Sequence, residues 1–254
     1  MSQLIFALAN LLGLAGFLYP LILPTLARSN TTPPAPLLFF LLTTLCLLVV
    51  ISELTARELD ARTVALMGVL SAVNAALRLA ETTFLVLPGG ISPVFFLIIL
   101  GGYLFGGRFG FLFGALSLLA SALVTGGWGP WLPYQMTAAG WVGLGAGWLP
   151  HLEQHRYRRL LLSGYGILCG LLFGFLLNLY FWPFIAEGGS GWQTGLTLGA
   201  IARRYLAFYV TTSLWWDTLR AAGNAALLGW LGEPVLKVLG RFQRRTVVEY
   251  VESK

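Results

Sequence analysis

Four charged side chains stand inside long apolar stretches, and they are the residues best placed to do chemistry. Arg78 and Glu81 lie three positions apart in one stretch, and Asp217 and Arg220 lie three positions apart in another. A charge at the centre of a bilayer costs at least about 2.5 kcal/mol, and such residues are normally paired or functional. Three interpretations are open: the pairs hold two helices together, they contact a polar substrate, or Glu81 or Asp217 serves as acid or base in an intramembrane enzyme acting on a lipid.

Aromatic and amide side chains provide further candidates for contact with a ligand. Gln135 begins an apolar stretch directly after the segment 126–133, which is rich in Gly, Pro and Trp. Glycine and proline constrain such a loop, so it can cap an apolar or aromatic ligand. Interfacial anchoring is the alternative role for each Trp or Tyr, and contact between helices is the alternative for each amide. The predicted substrate-binding residues are Trp128, Trp131, Tyr134, Gln135, Phe84, Asn178 and Trp215.

Motifs for metal binding and catalysis are not assembled in this sequence. His151 and His155 have the i, i+4 spacing that can share a metal, but they lie in a basic segment without a third ligand. Cys46 and Cys169 are far apart within apolar stretches and are expected to act as small buried hydrophobic residues. The sequence contains no phosphate-binding loop of the Walker type, no Gly-x-Ser-x-Gly and no His-Glu-x-x-His. We therefore expect no catalytic residue, no metal and no resident cofactor.

The composition indicates the environment in which these residues act. Of the 254 residues, 57% are hydrophobic and 10% are charged, with a mean hydropathy of +0.78. A soluble domain carries roughly 25% charged residues, so this chain cannot cover a water-facing surface. The net charge of +6 arises from Lys and Arg in short segments between apolar stretches. These residues act as topology signals, and nucleic-acid binding is excluded.

We predict an all-α integral membrane protein of about eight transmembrane helices, because each crossing needs about 20 mostly apolar residues. Two helices with a cytoplasmic link occupy 1–61, a six-helix substrate-binding core occupies 62–240, and a basic tail occupies 241–254. The predicted spans are 4–26, 37–51, 63–87, 92–105, 109–125, 134–149, 160–185 and 205–231.

The distribution of positive charge predicts the orientation. With both termini in the cytoplasm, 11 of the 16 Lys and Arg residues lie in cytoplasmic segments, 3 lie outside and 2 lie within spans. Positive residues are retained in the cytoplasm, so both termini are predicted to be cytoplasmic. The uncharged loops 88–91 and 126–133 then face outward.

Small residues recur on one face of the third span. Gly68, Ala72 and Ala76 are spaced by four positions. This spacing lets another helix approach closely, and that helix belongs either to this chain or to another.

The middle of the chain carries Gly, Pro, Trp and Gln in an order that is not generic to membrane helices. The segments are Gly90-Ile91-Ser92-Pro93, Gly101-Gly102-Tyr103-Leu104-Phe105-Gly106, Arg108-Phe109-Gly110-Phe111, Gly129-Pro130-Trp131, Pro133-Tyr134-Gln135-Met136 and Gly140-Trp141-Val142-Gly143. They resemble the substrate-binding S component of energy-coupling factor (ECF) vitamin transporters. The resemblance covers about 62–240, so the two N-terminal helices depart from the six-helix pattern.

The resemblance implies a prokaryotic membrane subunit that binds a vitamin from outside. It implies association with a membrane coupling protein and two ATPase subunits, which would hydrolyse ATP in place of this chain. Gly68, Ala72 and Ala76 match the small-residue motif that docks onto the coupling protein. Within the family, the chain is most similar to the group for cobalamin. A corrinoid is therefore the expected transported ligand, with another vitamin or precursor as the alternative.

Overall fold

The computed structural model describes residues 2–26, 44, 61–81, 83, 92–185, 191, 193 and 195–252. Regular secondary structure in these residues is helical, which confirms the predicted all-α class. Apart from residue 44, the predicted span 37–51 lies outside the described residues, as does the candidate Phe84. The described helices are α1 (Ser2–Leu26), α2 (Ala61–Ala80), α3 (Val94–Phe105), α4 (Gly107–Thr125), α5 (Leu132–Ala146), α6 (His155–Ile185), α7 (Leu198–Thr212) and α8 (Leu214–Glu252).

Several of these helices meet the physical requirement for crossing a membrane. Leu4–Ile22 within α1, together with α2, α4 and α6, are long and apolar enough to span the hydrocarbon core. The 12-residue α3 is equally apolar but shorter, and ten of its residues are buried against neighbouring helices. The chain is therefore a multi-pass membrane protein.

The structure differs from the sequence prediction over 205–231, which was expected to form one span. Here α7 ends at Thr212 and α8 begins at Leu214, with Ser213 between them. The hydroxyl of Thr212 donates to the Phe208 carbonyl at 2.7 Å, and that of Ser213 donates to Asn178 Oδ1 at 2.9 Å. Hydroxyls that bond to backbone and to neighbouring helices compete with a regular helix, and they account for the interruption.

Three helices are joined through glycine. We call Gly102, Gly110, Gly114 and Gly143 the glycine seam of α3, α4 and α5. A Cβ atom added to Gly143 would lie 2.0 Å from the Gly110 carbonyl oxygen, and one added to Gly114 would lie 2.2 Å from the Ala139 carbonyl oxygen. The backbones are therefore in direct contact, an approach that small residues allow between membrane helices.

A second set of glycines joins α6 to α8. Gly166, Gly170 and Gly174 are four positions apart and face α8. A Cβ atom on Gly170 would lie 2.6 Å from Ala221 Cα, and one on Gly174 would lie about 2.0 Å from the carboxylate of Asp217. The buried Asp217 is thus accommodated because α6 has no side chain at this position.

The N-terminal helix α1 is packed into the bundle. Phe17 is fully buried, with ring centroids 5.2 Å from Tyr134 and 5.4 Å from Trp141. Asn10 Oδ1 accepts a hydrogen bond of 2.6 Å from Trp141 Nε1. These contacts attach α1 to α5, so the helix forms part of the same hydrophobic core as the later helices.

Candidate functional site

A small polar cavity lies at the end of the bundle that carries the loop 126–131, which we call the Trp-loop end. Its volume is about 70 Å³. It is enclosed by the end of α2, the last turns of α4, the loop and the start of α5. The lining residues are Arg78, Leu118, Ser121, Ala122, Thr125, Gly127, Trp131 and Gln135.

The loop owes its shape to glycine and to one indole. Helix α4 ends at Gly126, which has φ +70° and ψ +17°, a left-handed conformation that glycine adopts without strain. Trp131 Nε1 donates to the Gly127 carbonyl at 3.2 Å. A Cβ atom on Gly129 would lie 2.4 Å from the Trp131 ring, so the indole lies against the loop only because Gly129 has no side chain. The loop thereby holds the indole at the rim of the cavity.

The cavity offers hydrogen-bond donors to a small polar group. The guanidinium of Arg78 and the amide of Gln135 are donors, and the hydroxyls of Ser121 and Thr125 add further polar atoms. Seventy cubic ångströms corresponds to roughly two water molecules. Ligand sites typically measure about 300–1,000 Å³, so this cavity has room for one functional group and not for a whole vitamin.

The four charged residues predicted as a network are connected through Arg220. Arg220 Nη1 donates to Asp217 Oδ1 at 2.5 Å within α8. Across the bundle, Arg220 is close enough to α2 to attract Glu81 and to repel Arg78. Ser92 donates a hydrogen bond of 2.8 Å to Glu81. The two predicted pairs therefore form one interhelical cluster.

The members of this cluster face different surroundings. Asp217 is 2% exposed and lies against Gly174 of α6. The guanidinium of Arg220 lies 5.8 Å from the centre of the Phe173 ring. Arg78 instead lines the cavity at the Trp-loop end. Helix packing thus dominates around Asp217, whereas Arg78 faces the polar cavity.

The predicted substrate-binding residues do not all converge. Trp131 and Gln135 line the cavity, and Trp128, in the same loop, is 52% exposed. Tyr134 is 1% exposed and stacks on Tyr180 at 3.7 Å between ring centroids. A ligand role for Tyr134 stays a prediction, while its observed contacts are those of a core residue.

Two further predicted residues lie at the junction of α7 and α8. Asn178 donates to the Gly174 carbonyl at 2.8 Å and accepts from Ser213 at 2.9 Å, so it connects α6 to this junction. Trp215 is 68% exposed in the first turn of α8. Neither lines the described cavity, and their roles as substrate contacts stay predictions.

Ser121 and Thr125 line the cavity but were not predicted from the sequence. They are four positions apart, so they share one face of α4. Thr125 Oγ1 donates to the Ser121 carbonyl at 2.8 Å, a bond that satisfies the hydroxyl within the helix. The available signal was a row of hydroxyl residues at four-residue spacing in α4, Ser117, Ser121 and Thr125.

The small-residue face of α2 points away from the described bundle. Gly68, Ala72 and Ala76 are exposed, whereas the buried side of α2 is formed by Met67, Leu70, Ser71, Asn74 and Ala75. A Cβ atom on Gly68 would meet nothing within 4 Å. Among the residues that the structure describes, no helix covers this face at Gly68.

The two histidines considered for metal binding make separate contacts. His151 Nε2 lies 2.8 Å from the Tyr103 carbonyl oxygen, and His155 Nδ1 lies 3.0 Å from Glu233 Oε2. Within the described ranges, no group of three or more His, Cys, Asp or Glu residues is arranged to hold a metal ion.

Comparison with known proteins identifies the family. The family model described as "ECF transporter, substrate-specific component" matches residues 62–229, about two thirds of the chain. No curated protein and no solved structure matches the chain. The match confirms the resemblance to an S component, and it decides against the intramembrane-enzyme interpretation, because S components bind substrate and are not themselves enzymes. The chain belongs to the family of substrate-specific components of ECF transporters.

Proposed function

We propose that the chain captures a vitamin or related micronutrient at the Trp-loop end and delivers it through a complex with a membrane coupling protein and two ATPase subunits. The observation that carries this proposal is the polar cavity in which Arg78, Trp131 and Gln135 meet beneath an uncharged loop. In a chain of the S-component family, such a cavity provides the contacts for a ligand's polar end.

The charge distribution supports capture from outside a prokaryotic cell. The opposite end of the bundle, which we call the basic end, carries Arg156, Arg158 and Arg159 at the start of α6, with Lys237 and Arg241 in α8. The loop 126–133 has no charged residue. The positive-inside rule then assigns the basic end and both termini to the cytoplasm, and the cavity to the outer face.

A corrinoid such as cobalamin is the first ligand to test. The edge of a corrinoid carries amide groups, whose carbonyl oxygens can accept from Arg78 and Gln135. The exposed indoles of Trp128 and Trp131 supply apolar surface for a large ring. Because the described cavity is about 70 Å³, it would hold only an edge of this ligand.

A vitamin with a carboxylate is the second ligand class, and Arg78 favours it. A guanidinium pairs with a carboxylate through two parallel hydrogen bonds, which are stronger than bonds to neutral carbonyls. Arg78 lines the cavity together with three neutral polar side chains, so a carboxylate there meets donors.

The exposed face formed by Gly68, Ala72 and Ala76 is the proposed docking surface for the coupling protein. Its support is that these residues are exposed and that a side chain at Gly68 would have open space around it. Small residues allow a helix of the partner to pack closely against α2. ATP hydrolysis then takes place in the partner subunits.

The ligand is identified by thermal shift of the full chain purified in mild detergent. The panel contains cobalamin and cobinamide, biotin and pantothenate as carboxylate-bearing vitamins, and riboflavin. A ligand at one hundred times its Kd stabilises the folded state by about 2.7 kcal/mol. For a chain of this size, that corresponds to an increase in apparent Tm of about 5–10 °C.

A matched pair of variants tests where the ligand binds. Gln135→Ala removes a donor from the cavity and is expected to reduce the ligand-induced shift while leaving the unliganded Tm within about 2 °C. Trp230→Ala is the control, since Trp230 is 80% exposed in α8 towards the basic end. An equal loss of shift in both variants, or no response to any vitamin in the panel, would contradict the proposal.

A further inference from the structure

A larger cavity lies at the basic end, away from the proposed substrate site. Its volume is about 540 Å³, and it is formed by the end of α3, the segment 150–154, the start of α6 and the part of α8 beyond Leu236. This volume falls within the range of about 300–1,000 Å³ that is usual for small-molecule sites. The cavity is therefore large enough to be a binding site in its own right.

Side-chain contacts hold the walls of this cavity in place. Gln243 Nε2 donates to the Leu104 carbonyl at 2.9 Å and connects α8 to the end of α3. The ring of His151 stacks on Tyr103, with 4.6 Å between centroids and 17° between planes. These bonds connect separate elements, so the cavity is preformed.

A salt bridge closes one side of the cavity. Arg158 donates to Glu233 through Nε at 2.7 Å and through Nη2 at 2.5 Å, so α6 and α8 are connected by a bidentate pair. This pairing neutralises Arg158. Among the lining residues that the structure describes, the two remaining cations are Lys237 and Arg241.

Lys237 and Arg241 form a cationic rim. They are four positions apart on α8, so they share one face of the helix, and both are exposed. Among the residues that the structure describes, no acidic group pairs with either of them. Glu153 is the one acidic residue of the described lining, which leaves the rim with a net positive charge. An anion is the complementary ligand.

The interior of the same cavity is apolar. Leu104, Leu152 and Leu236 contribute to its lining, and all three are less exposed than the cations of the rim. A free inorganic anion gains nothing from such a surface. A molecule with a charged group at one end and hydrocarbon at the other matches both parts.

Exposed aromatic residues place the cavity at the level of a membrane interface. Trp148 is 75% exposed, Trp230 is 80% exposed and Tyr157 is 56% exposed, and all three lie towards this end of the bundle. Trp and Tyr concentrate where the hydrocarbon meets the headgroups. Basic pockets between membrane helices at this level bind anionic headgroups.

We propose that the cavity at the basic end binds the phosphate of an anionic phospholipid, with Lys237 and Arg241 at the phosphate and the leucines against the adjoining hydrocarbon. This site is separate from the cavity at the Trp-loop end. It would make the stability of the bundle, and the position of α8, depend on lipid composition.

The experiment uses the full chain in a neutral detergent and short-chain phosphatidylglycerol as the probe. Phosphatidylcholine with the same acyl chains and inorganic phosphate are the two comparison probes. The midpoint of the thermal shift gives the apparent Kd, and native mass spectrometry counts retained lipid. We expect phosphatidylglycerol to stabilise the chain, and phosphatidylcholine and inorganic phosphate to have little effect.

Two double variants with equal charge changes separate a site from a general surface effect. Lys237→Gln with Arg241→Gln removes the rim, whereas Arg156→Gln with Arg159→Gln removes two exposed charges near the same end that do not line the cavity. Each Lys or Arg near an anionic headgroup changes lipid binding about fivefold, so the rim variant should bind about thirtyfold more weakly. The control variant should bind like the unmodified chain.

Each contrary outcome overturns the proposal. Equal weakening in both double variants would indicate attraction to overall surface charge. Stabilisation by inorganic phosphate as large as that by phosphatidylglycerol would indicate a free-anion site. A rim variant that keeps its lipid affinity but no longer assembles with the coupling protein would assign the rim to an acidic segment of that protein.

Discussion

Adding a single methyl group to the glycine seam tests how closely α4 and α5 are joined. In Gly143→Ala, the new Cβ atom would lie 2.0 Å from the Gly110 carbonyl oxygen and 2.3 Å from its carbonyl carbon. Ordinary contact begins at 3.4 Å, so the two backbones must separate by about 1.4 Å. No side chain can rotate to relieve the clash, because the opposing atoms belong to backbone.

The magnitude follows from two opposing effects. Overpacking of a well-packed core costs about 1–3 kcal/mol, and a clash with backbone belongs at the upper limit. Replacing glycine by alanine within a helix restores about 1 kcal/mol through helix propensity. The net loss is about 2 kcal/mol, which corresponds to a decrease in apparent Tm of about 4–8 °C for a chain of this length.

The assay is thermal unfolding in detergent, with Gly68→Ala as the matched control. Gly68 also lies within a helix, but a Cβ atom there would meet nothing within 4 Å. Only the propensity effect remains, so the apparent Tm of the control should be unchanged or higher by up to about 4 °C. If Gly143→Ala were as stable as Gly68→Ala, the direct backbone contact in the seam would be refuted.

Two further variants separate packing from function. Asp217→Asn should lower the apparent Tm by about 5 °C or more, because Arg220 loses its charged partner beside Gly174. The variant should still be stabilised by ligand. A stable variant that no longer responds to ligand would make the Asp217 carboxylate a ligand contact. Gly68→Leu should leave the apparent Tm and ligand binding unchanged but abolish uptake in cells that contain the coupling protein and ATPases. A loss of ligand binding in the purified variant would place the Gly68 face of α2 inside the fold.

The helix boundaries in the middle of the chain could be predicted because local signals and packing agree there. The predicted spans 92–105 and 109–125 correspond to α3 and α4, whose shared boundary is at Gly106. Glycine interrupts the apolar stretch at that point, and the helices end with it. Hydropathy and glycine together were sufficient for this part of the fold.

The junction at Ser213 could not be predicted from hydropathy. The apolar stretch continues through it, and the hydrogen bond that stabilises the interruption comes from Asn178 of a distant helix. Helix α6 also extends beyond the predicted span 160–185, since it begins at His155. Charged residues prevent insertion into hydrocarbon but do not end a helix, so span and helix differ there.

The candidate site was predictable by residue type but not by arrangement. Arg78, Trp131 and Gln135 were each identifiable as unusual, yet their convergence depends on how α2, α4 and α5 are rotated. The rotation of each helix depends on which of its faces carries the glycines that contact another backbone. In an apolar sequence rich in glycine, several faces could do so. Tyr134 illustrates the limit: one position before Gln135, it points into the core and stacks on Tyr180.

The glycine seam also determines which wall of the cavity can respond to a ligand. Two walls of the cavity belong to α4 and α5, whose backbones are in direct contact. Because this contact fixes the two helices without a ligand, ligand binding need not pay conformational entropy to order them. The other walls are the loop that carries Gly127 and Trp131, and Arg78 of α2. In the proposed complex, another face of α2, formed by Gly68, Ala72 and Ala76, contacts the coupling protein. Ligand binding in the cavity and docking of the coupling protein then both involve α2. If the coupling protein weakens ligand binding by some factor, the bound ligand must weaken binding of the coupling protein by the same factor.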